Sequence, residues 1–146
     1  MYTENLKQAK WALPGQGNEL ESFSGEQPIK MKHSDGTARP LVVDDSAINK
    51  FGADIVRFEA GKGVGLHTHV GAHILLVTKG TGILTYGCKH GLDGPAEEQH
   101  EMFPGMIYLI PSNMPHAIKA ITELVLVAVG NDHKPADSEE RLDVVS

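Results

Sequence analysis

The chain has 146 residues, 40% hydrophobic, 22% charged and 5% aromatic, with a formal net charge of −6. That length suits one domain with a real core. The acidic balance, the lack of a dense Lys/Arg stripe and the scarcity of aromatics argue against nucleic acid as a partner. Cys88 is the single cysteine, which excludes an intramolecular disulfide and a cysteine-rich zinc site. A lone cysteine is more often a small packed residue than a nucleophile.

In chain order, residues 1–38 mix charges with Pro14, Gly15, Gly17, Gly25, Pro28 and Gly36 and show little periodicity. An irregular N-terminal arm packing through Trp11 is expected, with room for one short strand and for a helical turn in "NLKQAKWAL" (5–13). The N-terminus is polar and no apolar run approaches the ~20 residues of a membrane helix. A soluble, cytoplasmic chain without a membrane partner is therefore expected.

From residue 39 the texture changes to short runs rich in Val, Ile and Leu. Strands are predicted at 41–44, 53–60, 73–79, 82–87, 97–103, 106–110, 116–120 and 123–130. "KGTG" (79–82) and "PG" (104–105) are tight turn signals, and "GCKHGLDGPA" (87–96) is a longer loop. Many short strands without helical patterns between them predict an all-β sandwich or barrel over 39–131. "HILLVTK" and "ELVLVAVG" are apolar on both faces. Such strands need two covers: the barrel interior, and either a second sheet or a partner subunit. The polar tail, 132–146, contains Pro135 and is expected to be mobile or a short terminal helix.

The candidate chemistry lies in "GVGLHTHVGAH" (63–73). In a strand, alternate side chains share a face, so His67 and His69 point the same way and Thr68 points away. His73 opens a very apolar run, where an unpaired buried polar group would cost about 1–3 kcal/mol. His116 follows a Pro-bounded turn at the start of another strand. An isolated H-x-H is more often solvated than metal-bound. Two histidine segments framed by compatible turn and strand signals point instead to a metal site inside the barrel. His33, His90 and His133 fall in loops or termini and read as surface residues. Asp54, Tyr86, His100 and Tyr108 sit on predicted strands, where packing or solvation is the ordinary reading.

The spacing resembles the two motifs of the cupin superfamily, over about residues 40 to 130. The first motif appears as Gly61, five residues, His67-Thr68-His69, three residues, His73, six residues, Gly80. The second appears as Gly105, five residues, Pro111, Asn113 in place of a glycine, His116, and Ala120 in place of an asparagine. The main departure is His73, which stands where the motif usually carries a glutamate. The resemblance implies a double-stranded β-helix, or jelly roll, with a metal at the barrel mouth held by His67, His69, His73 and His116.

Four neutral imidazoles would leave a divalent ion its full charge, making it a stronger Lewis acid than a site with a carboxylate. Imidazole suits Zn, Cu, Fe and Ni, whereas Mn usually prefers oxygen donors; the resemblance favours Mn or Fe. Two free positions on a six-coordinate ion favour a dioxygenase-like oxidoreductase acting on a small organic molecule. A metal-dependent lyase, isomerase or cyclase comes second, and a non-catalytic ligand-binding or sensing module third. The residues identify no general acid or base. The two-sided strands, the long arm and the habit of the family imply a homodimer.

Overall fold

A computed structural model describes residues 9–10, 21–22, 28–43, 51–88 and 96–145. Alternation along the strands builds two faces on one sheet. In β5 (Gly52–Phe58), Val56 and Phe58 enter the main core, while Ala53 and Ile55 enter a second cluster on the opposite face. β12 (Leu124–Gly130) repeats this: Leu124, Leu126 and Ala128 point one way, Val125 and Val127 the other. The two-sided apolar character read from the sequence is thus two-sided burial. Each large side chain removed from water contributes roughly 1.5–3 kcal/mol.

The remaining strands are β1 (Ala9–Lys10), β2 (Glu21–Ser22), β3 (Ile29–Lys30), β4 (Thr37–Val43), β6 (Gly63–Thr68), β7 (His73–Lys79), β8 (Gly82–Tyr86), β9 (Glu98–Met102), β10 (Ile107–Ile110), β11 (His116–Ala120) and β13 (Asp143–Val144). A six-stranded sheet has the order β10-β7-β12-β5-β4-β3, and a five-stranded sheet the order β13-β6-β11-β8-β9. Among the described residues, β1 and β2 pair only with each other. The named strands pair antiparallel, and the main core lies between the two larger sheets, around Phe58, Val77, Leu84, Met102, Ile110, Leu124 and Leu126. This is the all-β jelly roll expected from the sequence. Among the described residues, no helix is long and apolar enough to cross a membrane.

Several expectations need correction. The C-terminal segment is neither a helix nor detached. Ala136 and Leu142 are buried in the main core, β13 pairs with β6, and the Val145 amide donates to the Leu66 carbonyl at 2.9 Å. An otherwise open edge of β6 needs backbone partners, and this segment supplies them. β4 begins at Thr37, inside the stretch read as arm. The proposed helical turn and Trp11 lie mostly or wholly outside the described residues, although Ala9–Lys10 is extended. His90 also lies outside them.

Candidate metal centre

One row of residues crosses each sheet at the barrel mouth. In the five-stranded sheet the row runs Val144, His67, His116, Tyr86. In the six-stranded sheet it runs Ile110, His73, Gly130, Gly52. Antiparallel neighbours in register point to the same face, so His67 and His116 arrive side by side. Their ring centres are 4.2 Å apart, and His69 stands 5.7 and 4.8 Å from the two. One ring nitrogen from each of these three lies within 4.8 Å of the others. His73 stacks on His69, centres 4.0 Å apart and planes 20° apart, but does not belong to that mutual set.

Each of the three converging rings is tied by its Nδ1. His67 bonds the Gly65 carbonyl at 2.8 Å, His69 the Gly71 carbonyl at 2.7 Å and His116 the Met114 carbonyl at 2.8 Å. A carbonyl only accepts, so Nδ1 carries the proton and Nε2 keeps a free lone pair. Burial is the largest influence on all of them and disfavours the charged form. It lowers His67 to about 4 and holds His69 and His116 below their ordinary value. His73 falls to about 2, through burial first and then the neighbouring His69 and His133. Neutral imidazoles with tethered Nδ1 and free Nε2 are the donor set a divalent transition metal takes, so the residues fit such an ion.

The structure adds three residues that sequence reasoning left aside. Asp54 faces the barrel interior on β5 and is buried; His133 donates from Nε2 to its Oδ2 at 2.8 Å, and Arg141 donates from Nη2 to the same oxygen at 2.7 Å. Arg141 also gives Nη1 to the Lys134 carbonyl at 2.8 Å. Burial would raise the Asp54 pKa, but these two partners outweigh it and keep the carboxyl below its usual range. His133, read as a surface residue, is therefore wrongly placed by the sequence: its side chain is only 8% exposed. His33 does sit at the surface, its Nε2 hydrogen-bonded to the Glu139 carboxylate at 2.8 Å.

Glycines make room for the rings. A Cβ on Gly130 would come within 2.3 Å of His73 Cδ2, and one on Gly52 within 2.7 Å of His133 Cδ2. Arg141 and Leu142 join the four histidines and the core side chains around a narrow cavity of about 40 Å³. The C-terminal segment thus forms one wall of the candidate centre.

One departure in the second motif, Asn113, is also explained. Asn113 has φ 59°, a left-handed conformation that glycine adopts freely and asparagine tolerates best among the rest. Its amide donates to the His69 carbonyl at 2.8 Å, joining the two histidine segments. Of the other strand residues considered, Tyr86 packs against the core, Tyr108 donates its hydroxyl to the Glu101 carbonyl, and His100 lies exposed beside Glu98. Cys88 is buried and free.

No curated protein is detectably similar to the chain in sequence. Solved structures are similar in fold. A cupin-2 domain protein from Rhodospirillum rubrum is 16% identical with a TM-score of 0.64, over 92% of this chain and 84% of that one. Oxalate decarboxylase from Lactobacillus farciminis is 14% identical with a TM-score of 0.61, over 86% of this chain and 35% of that one. Salicylate 1,2-dioxygenase from Pseudoaminobacter salicylatoxidans is 18% identical with a TM-score of 0.55, over 70% and 28%. This chain matches about a third of each of these two enzymes. A family model described as "Cupin domain" matches residues 54–130, more than half of the chain. With both histidine segments inside that span and a jelly roll around them, the protein belongs to the cupin superfamily.

Proposed function

We propose that the protein is a metal-dependent enzyme acting on a small organic molecule. In this reading His67, His69 and His116 hold a divalent transition metal, with His73 as the fourth ligand. The observation that carries it is the convergence of three ring nitrogens within 4.8 Å, each ring tethered through Nδ1 to a carbonyl. Manganese or iron is the leading candidate; zinc, nickel and copper also suit imidazole donors. The ion would supply Lewis acidity and positions for a chelating substrate. Oxygen-using, dioxygenase-like chemistry is the first choice, supported by four protein ligands leaving two sites on a six-coordinate ion. The fold likeness to salicylate 1,2-dioxygenase agrees with it, while the likeness to oxalate decarboxylase supports a lyase, isomerase or cyclase as the alternative.

Elemental analysis of the purified protein should find one equivalent of a transition metal, lost in His67→Ala and His116→Ala and weakened in His73→Ala. No stoichiometric metal after reconstitution at about pH 7.5, where the imidazoles are neutral, would overturn the metal reading. Oxygen uptake with diketones, phenols or thiols would support the oxygenase. Turnover without uptake would support the lyase or isomerase, and binding without turnover a non-catalytic module.

We also infer a homodimer. Ile107 and Leu109 on edge strand β10 are 65% and 64% exposed, and their register partners continue the strip through Ile74 and Leu76 on β7. An apolar strip beside a strand edge that no other described residue pairs favours a second copy as its cover.

A further inference from the structure

Three of the four histidines have a fixed outer partner. Carbonyls hold Nδ1 of His67, His69 and His116, whereas among the described residues no backbone carbonyl bonds a ring nitrogen of His73. His133 shows the opposite lack. Its Nε2 is given to Asp54, and its buried Nδ1 has no partner among the described residues. An unsatisfied buried nitrogen calls for an explanation.

The two rings are neighbours. Their centres lie 5.4 Å apart with planes tilted by 38°. A head-on N–H···N bond of about 2.9 Å would place the centres roughly 5.2 Å apart. The backbone sets this spacing: Gly130 and Gly52 are register partners on β12 and β5, with His73 packed on the first and His133 on the second. Both histidines also line a small second cavity of about 20 Å³, together with His69 and Arg141.

We propose that His133, oriented by Asp54, is the outer partner of His73. When one nitrogen of His73 turns to a metal, the N–H of the other donates to His133 Nδ1, and His133 Nε2–H donates to Asp54. Arg141, on the same carboxylate oxygen, keeps Asp54 ionised. Asp54 and His133 are then positioning residues that act through His73. The first three ligands lean on neutral carbonyls, and the fourth leans on a chain ending in a carboxylate, which raises its donor strength. This rests on the metal reading above and extends it to two residues outside the ligand set.

The test is Co²⁺ titration of the whole chain, read by chelator competition and by the visible Co²⁺ bands. His133→Gln keeps a donor toward Asp54 but offers no acceptor where Nδ1 stands; His133→Asn returns an oxygen near that place. His133→Gln should weaken Co²⁺ binding about 10- to 100-fold and shift the bands, and His133→Asn should recover most of the loss. In a His73→Ala background His133→Gln should cost nothing further. Wild-type affinity in His133→Gln would overturn the proposal, as would an equal loss with and without His73. Should His133→Gln not fold, Asp54→Asn carries the same cycle, with the same dependence on His73 expected and its absence equally fatal. Failure of the wild type to bind any metal would overturn the metal reading and this proposal together; an unaffected His133→Gln beside a metal-binding wild type overturns this proposal alone.

Discussion

His73 occupies the place where the resembling motif carries a glutamate, and its neighbours show how an imidazole is accommodated there. Its ring needs the bare backbone of Gly130. A methyl at that position would meet His73 Cδ2 at 2.3 Å and the Ala72 carbonyl oxygen at 2.5 Å. Gly130→Ala should therefore push the ring out of its seat, costing about 1–3 kcal/mol of stability and weakening metal binding. Urea denaturation and Co²⁺ titration would check this; an unchanged variant would show that the ring is free to move. The Asp54–His133–Arg141 cluster is the other residue-scale feature. Arg141→Met leaves the Asp54 carboxylate buried with His133 as its remaining partner, and should cost about 3 kcal/mol. Asp54→Asn in the same chain should restore part of that loss, since no buried charge is then left unpaired. A cycle without such recovery would show that Arg141 stabilises through packing alone. Asp54 was visible in the sequence as a charge inside the apolar strand "ADIVRFEA", and a buried carboxylate must have a partner. The partners were not visible. His133 and Arg141 lie in a polar segment without periodicity, and their burial comes from where that segment docks.

At the scale of elements, the strands bounded by strong turn signals were the legible ones. β7 and β11 begin and end where "HILLVTK" and "HAIKA" do, because Gly80, Pro115 and their neighbours close them off. The two-residue β13 could not be read, since so short a strand exists only through the edge of β6 that it covers. The same edge logic applies to β10, whose pairing among the described residues is with β7 alone. Its outward side chains, Ile107 and Leu109, prolong an apolar face that β12 and β5 already bury. A Leu109→Glu substitution places a charge in the middle of that strip without touching the main core. Sedimentation at tens of micromolar should then find monomer where the unsubstituted protein is a dimer. A monomeric parent protein would remove the homodimer, and a dimeric variant would place the interface elsewhere.

For the molecule as a whole, the histidine cluster ties stability to pH. In the metal-free protein, burial holds His67 near 4 and His73 near 2, and keeps His69 and His116 low. Unfolding returns each to its ordinary value of about 6.5. Above that value both states are neutral and the histidines do not alter the balance. Below it the unfolded chain takes up protons that the folded chain refuses, so stability falls with pH until the folded values are crossed. His67 alone should cost about 2 kcal/mol at about pH 5, a large share of the roughly 5–15 kcal/mol typical of a domain. Asp54 acts in the same sense at lower pH. Its folded pKa is depressed, so its contribution is present above the usual carboxylate value of about 4 and is lost as pH falls through the folded value. A bound metal adds a further gradient, because it competes with protons for the same lone pairs. Chemical denaturation of metal-free protein at about pH 7.5 and 5 should therefore show a marked loss at the lower value. His67→Asn, which fills the site with a group that does not titrate, should lessen that loss by about 2 kcal/mol and leave the part owed to the other three histidines. Equal stability at the two values would mean that water reaches these rings and that burial is not what keeps them neutral; a slope unchanged by His67→Asn would assign the loss to other groups.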